Sequence, residues 1–215
     1  MRHPPVSGRF FIARHGETVF NAAARMQGET VHTPLTRAGF AQADAIGDAL
    51  RVHLGPRPDL ALWASDTGRA LQTLAIIAER LELDWHQART DRRLGEIGMG
   101  SWGGRYYREV IAEAGQIFDP VTALFTRCAP DGGESYADIA IRLRAWLDEH
   151  GSDREDKLVI THGFTSRVLR GLLTGAPCRP GCGAPIADGF PQGSIIEIEH
   201  GRERVLFRGG GAAPA

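Results

Sequence analysis

The chain has 215 residues, 42% of them hydrophobic, which is enough to bury one full core and gives no sign of a second. Its 25 Lys and Arg against 26 Asp and Glu leave a formal charge of −1, which excludes the broad basic surface that nucleic-acid binding demands. The start, Met1-Arg2-His3-Pro4-Pro5, lacks the apolar stretch of a signal peptide, and no apolar run is long enough to span a bilayer, so a cytoplasmic protein without membrane contact is expected.

In chain order, the apolar run near 9–13 predicts a strand, 36–52 a helix, 60–64 a second strand and 67–81 a second helix. An extended piece near 84–89 follows, then a helix near 134–149, a strand near 157–161 and a helix near 164–173. Ser194 to Glu199 alternate, and a turn at His200-Gly201 leads into Val205-Leu206-Phe207. Strand and helix thus alternate, which predicts a three-layer α/β fold: a mostly parallel central sheet with helices on both faces. Tyr136, Ile139, Leu143 and Trp146 recur at helical spacing and are assigned to the core. The domain is expected to run over 1–208 with an insertion at about 98–133, and the small, flexible residues of 209–215 to form a disordered tail.

Two of the predicted strands end in a histidine: Arg14-His15-Gly16-Glu17-Thr18 follows Phe10-Phe11-Ile12-Ala13, and Thr161-His162-Gly163 follows Leu158-Val159-Ile160. Ligands of open α/β sheets bind at this edge, where strand-leaving loops and helix N-termini converge. A neutral imidazole is a nucleophile near pH 7, a following glycine lets backbone N–H groups approach an anion, and Arg14 adds a planar fork suited to two phosphate oxygens. Ser65 or Asp66 is expected to cap the helix after the second strand, which puts Arg69 in its first turn at the same edge. Glu96, flanked by Leu94-Gly95 and Ile97-Gly98, supplies a carboxyl group that desolvation by these neighbours would turn into a general acid near neutral pH.

The ordered set Arg14-His15-Gly16-Glu17-Thr18 with Asn21, Gln27-Gly28, Pro34 to Gly39, Ser65 to Thr73, Leu94-Gly95-Glu96, Gly132 to Ser135 and Thr161-His162-Gly163 resembles the histidine phosphatase superfamily, also called phosphoglycerate-mutase-like. The resemblance implies roles at the matching positions. His15 would become phosphohistidine; Arg14, Arg69 and His162 would hold the phosphoryl group; Asn21 and the Gly28 and Gly163 backbones would add contacts to its oxygens. Glu96 would protonate the leaving oxygen and then activate water. Positioning and charge stabilisation of this kind need no metal.

Gly100-Ser101-Trp102-Gly103-Gly104 resembles the Trp-Glu-Gly of the phosphatase branch, with Gly103 in the Glu position, and the paired arginines and proline run of the mutases do not follow Glu96. A metal-independent phosphomonoesterase acting on a small phosphorylated metabolite is therefore expected. The alternatives are a phosphoglycerate-mutase-type phosphotransferase, or a protein phosphohistidine phosphatase or non-catalytic binding member of the fold. The insertion would form a lid, in which Arg105, Tyr106, Tyr107 and Arg108 are either a substrate clamp or one amphipathic helix with solvated arginines. No cofactor is expected, and no metal: Cys178 and Cys182 could be half of a zinc site, but no second Cys or His pair lies at suitable spacing. With Cys128 they make an odd count that suits free thiols in a reducing compartment, and a homodimer is left open.

Overall fold

The computed structural model describes residues 6–211. Its centre is a six-stranded sheet built from β1 (Phe10–Arg14), β2 (Leu60–Ala64), β3 (Arg89–Thr90), β4 (Asp156–Thr161), β5 (Ile195–Glu199) and β6 (Arg202–Phe207), in the order β3-β2-β4-β1-β5-β6. The first four in that order run parallel; β5 pairs antiparallel with β1, and β6 with β5. Register places Arg14 opposite Thr161, so the segments that follow β1 and β4 leave side by side at one edge.

Side chains alternate across the sheet as strand geometry requires. Phe11, Ala13, Leu62, Leu158 and Ile160 face α2 (Arg37–Leu54) and α3 (Gly68–Leu81), through Ile46, Leu50, Leu74 and Ile77. Phe10, Ile12, Trp63 and Val159 face α5 (Tyr136–His150) and α6 (Gly163–Thr174), where Tyr136, Ile139, Leu143 and Trp146 are all buried. A short helix, α1 (Val19–Ala22), follows β1, and α4 (Tyr107–Ala114) lies within the insertion. The insertion is part of the second core: Trp102, Val110, Ile117, Leu124 and Phe125 are buried with α5 and α6.

Three expectations change. The extended piece at 84–89 is a 3-10 turn, Trp85–Gln87, capped by the Asp84 side chain, with only Arg89–Thr90 paired as a strand. The N-cap of α3 is Thr67 and makes no side-chain capping bond; neither Ser65 nor Asp66 caps that helix. Residues 209–211 are held: Gly209 N–H donates to Ser194 Oγ and Gly211 N–H to the Gln192 carbonyl. The rest of the expected tail, 212–215, lies outside the described residues.

Candidate active site

His15 lies just past β1 and is 2% exposed. Its Nδ1 sits 2.7 Å from the Gly16 carbonyl oxygen, which can only accept, so Nδ1 carries the ring proton and Nε2 keeps its lone pair. Burial first, then the charges of Arg69 and Arg14, hold this imidazole well below the usual histidine range. It is therefore neutral at pH 7, with a fixed tautomer.

The loop that carries it is pinned from below. Gly16 N–H donates to Thr73 Oγ1 of α3, and Glu17 N–H to Gln42 Oε1 of α2. Thr36, the N-cap of α2, donates its hydroxyl to Glu17 Oε1. A Cβ on Gly16 would collide with the Gly39 backbone, and one on Gly39 with that of Glu17, so these two glycines let α2 press against the His15 loop.

His162 lies just past β4 as the N-cap of α6 and is fully buried, its ring centroid 5.0 Å from that of His15. Its Nε2 shares a 2.7 Å hydrogen bond with Ser65 Oγ, which is in turn 3.0 Å from Thr67 Oγ1. Its Nδ1 is buried without a partner among the described residues. Burial, and then Arg69, push this ring also well below the usual range.

Arg69, in the first turn of α3, has no exposed surface. Its Nη1 donates to the Thr30 carbonyl at 2.6 Å and to Thr33 Oγ1 at 3.1 Å, and its Nη2 to the Gly28 carbonyl at 2.8 Å. Among the described residues its Nε has no partner, nor has the buried Nε of Arg14. Burial lowers both guanidiniums, Arg69 to about 10, so each still carries its charge at neutral pH. Gly28 thus acts on the site through Arg69, with φ at +50° as its contribution. Asn21 Oδ1 accepts from Thr18 N–H, from the Thr18 hydroxyl and from Gln192 Nε2, which leaves the Asn21 amide N–H groups as its free donors.

Glu96 is not enclosed by its apolar neighbours: Leu94 and Ile97 turn into the core, while the carboxylate emerges at the N-terminus of α6. There it accepts from Ile97 N–H at 2.9 Å, Thr165 N–H at 3.3 Å and Phe164 N–H at 3.4 Å. Backbone N–H groups of Ile97 and of the first turn of α6 thus surround it. A Cβ on Gly163 would lie 3.4 Å from Glu96 Oε2 and 3.6 Å from Arg14 Nε, so Gly163 sits between the two. A cleft of about 440 Å³ opens beside Glu96, lined by Glu29, Val31, Asp66, Arg92, Glu134 and Arg142 among others.

The insertion sends one of its four candidate residues inward. Tyr107 is half-buried against the second core, with Arg14 and Glu96 acting on it, its hydroxyl pushed up to about 12 chiefly by burial, and its ring lies 5.8 Å from that of Phe118. Arg105 pairs with Glu113, and Tyr106 is flanked by Arg25 and Arg108 at 4.8 and 4.6 Å. Arg108 is exposed and Arg105 and Tyr106 are half-buried. Ser65, Thr73, Gln192 and Arg142 are the contributors that the sequence reading did not assign. Ser65 and Thr73 fall inside a quoted motif, whereas no local signal marks Gln192 or Arg142.

Arg14, Arg69 and His162 thus each present a buried side-chain nitrogen that has no partner among the described residues, and both guanidiniums act on the charge of His15. An unpaired buried polar group costs about 1–3 kcal/mol, and a phosphoryl group would satisfy all three at once while matching the charge of two guanidiniums.

A family model described as the histidine phosphatase superfamily (branch 1) matches residues 10–208. The chain is 34% identical over 204 residues to a glucosyl-3-phosphoglycerate phosphatase of Mycolicibacterium vanbaalenii, covering 88% of this chain and 83% of that one. It is 33% identical over 172 residues to a protein of Yersinia enterocolitica named "Probable phosphoglycerate mutase GpmB", covering 78% and 75%. A solved structure of a mycobacterial glucosyl-3-phosphoglycerate phosphatase with VO3 superposes with a TM-score of 0.70 at 29% identity, over 93% of this chain and 97% of that one.

Proposed function

The chain belongs to the histidine phosphatase superfamily, branch 1, and is a phosphomonoesterase of that fold; from that premise we propose that His15 is its nucleophile and Glu96 its acid and base. The observation that carries the reading is the Nδ1–H bond from His15 to the Gly16 carbonyl, which leaves Nε2 unprotonated among Arg14, Arg69 and His162. Nε2 attacks phosphorus, the phosphorus–oxygen bond to the leaving alcohol breaks, and Glu96 delivers a proton to that oxygen. The two guanidiniums, the Asn21 amide and the Gly163 backbone N–H hold the three equatorial oxygens as charge spreads over them. With Ser65 donating to Nε2 of His162, that ring carries its proton on Nδ1 and gives a further donor to the phosphoryl group. Water then enters through the cleft beside Glu96, gives its proton to the carboxylate and releases phosphate from His15.

The substrate is a small phosphorylated alcohol whose leaving portion lies in that cleft. Relatives named for glucosyl-3-phosphoglycerate make phosphorylated sugar–glycerate compounds the first set to assay. Reaction with 32P-labelled substrate, quenched in alkaline detergent because the N–P bond of phosphohistidine is cleaved by acid, should trap label on the wild-type chain and none on His15→Ala. Label that persists in His15→Ala, or that maps to His162, would reverse the roles. Release of free phosphate, with no transfer to an added phosphoglycerate, separates a phosphatase from a mutase.

A further inference from the structure

We propose that the Arg142–Glu134 ion pair is the device that aims the Glu96 carboxyl at the leaving oxygen, making both of them positioning residues of the proton transfer; this rests on the reading of Glu96 as proton donor. Arg142, from α5, meets Glu134, which precedes that helix, in a two-pronged contact: Nε to Oε1 at 2.7 Å and Nη2 to Oε2 at 3.0 Å. This fork-to-fork geometry fixes the plane of both groups.

The donors and acceptors left over all go to the segment that carries Glu96 or to the helix that receives its carboxylate. Arg142 Nη1 donates to the Arg93 carbonyl, and Nη2 also lies 3.4 Å from the Glu96 carbonyl and 3.3 Å from Thr165 Oγ1. Glu134 Oε2 accepts from Gly98 N–H at 3.0 Å. Thr165, so engaged, donates its own hydroxyl to the Gly95 carbonyl at 2.6 Å. The ion pair thus grips the loop at residues 93, 96 and 98 and ties its middle, through Thr165, to the first turn of α6.

That loop has no ladder of its own to hold it. It runs from a 3-10 turn, Arg92–Leu94, into irregular backbone, and the isolated bridge between Met99 and Gly133 lies beyond its far end. The N–H bonds from Ile97, Phe164 and Thr165 can hold the carboxyl in one orientation only while the loop that carries it keeps its place against α6, and a proton donor must sit within hydrogen-bond reach of one particular oxygen. The guanidinium also stands beside His162, whose imidazole its charge helps keep neutral.

The test compares single-turnover phosphorylation of the enzyme by two substrates. An alkyl phosphate such as glycerol 3-phosphate needs a proton on its leaving oxygen; p-nitrophenyl phosphate does not. Arg142→Lys keeps the charge and loses the fork, and should slow the alkyl phosphate by about 10- to 100-fold, the range that a misplaced catalytic group produces. It should slow p-nitrophenyl phosphate by less than about threefold. Glu134→Gln keeps the outline of the site if Arg142 variants fold poorly, and should shift the ratio of the two rates in the same direction. A smaller folded fraction lowers both rates alike and leaves the ratio unmoved.

Glu96→Gln is run beside them. If it discriminates between the substrates and the Arg142 and Glu134 variants do not, the pair only holds the fold and the proposal is overturned. If Glu96→Gln itself fails to discriminate, Glu96 is not the donor, and the proposal falls with that reading.

Discussion

The two site histidines make the stability of this protein depend on pH with a sign and a size that can be worked out. His15 and His162 are 2% and 0% exposed, and both lie well below the ordinary histidine range, chiefly through burial and next through Arg69. The groups facing them are the cations Arg14, Arg69 and, for His162, Arg142, with Glu96 the carboxylate beside Arg14 and Arg69. In the unfolded chain each histidine takes up a proton as pH falls through about 6.5, while in the fold it stays neutral. The unfolded state then binds more protons, so the stability due to each ring is fully present above that pH and is lost as pH falls below it. Between pH 7 and pH 5.5 the loss comes to about 1.2 kcal/mol per histidine, or about 2.5 kcal/mol for the pair. Urea unfolding of the wild type, His15→Gln, His162→Gln and the double variant at both pH values measures it, because titration elsewhere cancels in the differences. The double variant should lose about 2.5 kcal/mol less than wild type over this window. Equal losses would mean that the rings titrate in the fold as they do in solution, and the neutral nucleophile would have to be abandoned.

Two further perturbations separate the parts of the site. Arg69→Ala removes a buried guanidinium and should cost about 2–5 kcal/mol in kcat/KM, with vanadate inhibition weakened in parallel; unchanged vanadate affinity in the folded variant would remove Arg69 from the phosphoryl site. Gly39→Ala puts a methyl group into the Glu17 backbone and should lower stability by about 1–3 kcal/mol in urea unfolding, with a drop in turnover as the His15 loop is displaced; a variant as stable as wild type would show that α2 can back away from that loop.

The sequence made the placement of His15, His162 and Arg69 legible because these residues are fixed by local rules. A histidine placed one residue beyond a buried strand must emerge at the sheet edge, and Arg69 in the opening turn of a helix that starts at that edge must point the same way. The helical period of α5 gave its core face directly, since every one of Tyr136, Ile139, Leu143 and Trp146 proved buried. In the insertion, the helix that starts at Tyr107 sets Val110, Ile111 and Ala114 on one face, so Tyr107 turns inward with them and Arg108 does not. That phase depends on where the helix begins, and the Arg-Tyr-Tyr-Arg run is compatible with more than one start.

Glu96 shows where such reasoning stops. Its neighbours in sequence are apolar, which suggests a desolvated carboxyl, but in irregular backbone adjacent side chains need not share an environment. Leu94 and Ile97 go to the core, and the carboxylate goes to a helix that begins 67 residues later with Gly163. Its partners are Phe164 and Thr165, and its loop is gripped by Arg142, 46 residues away. Ser65 is likewise explained only by His162, 97 residues on. A hydrogen-bonding side chain declares its type in the sequence, whereas its partner is decided by how strands and helices are brought together. The reacting groups follow from strand ends and helix starts; the groups that tune and aim them follow only from the packed fold, and the Glu96 carboxyl is held almost wholly by the second kind.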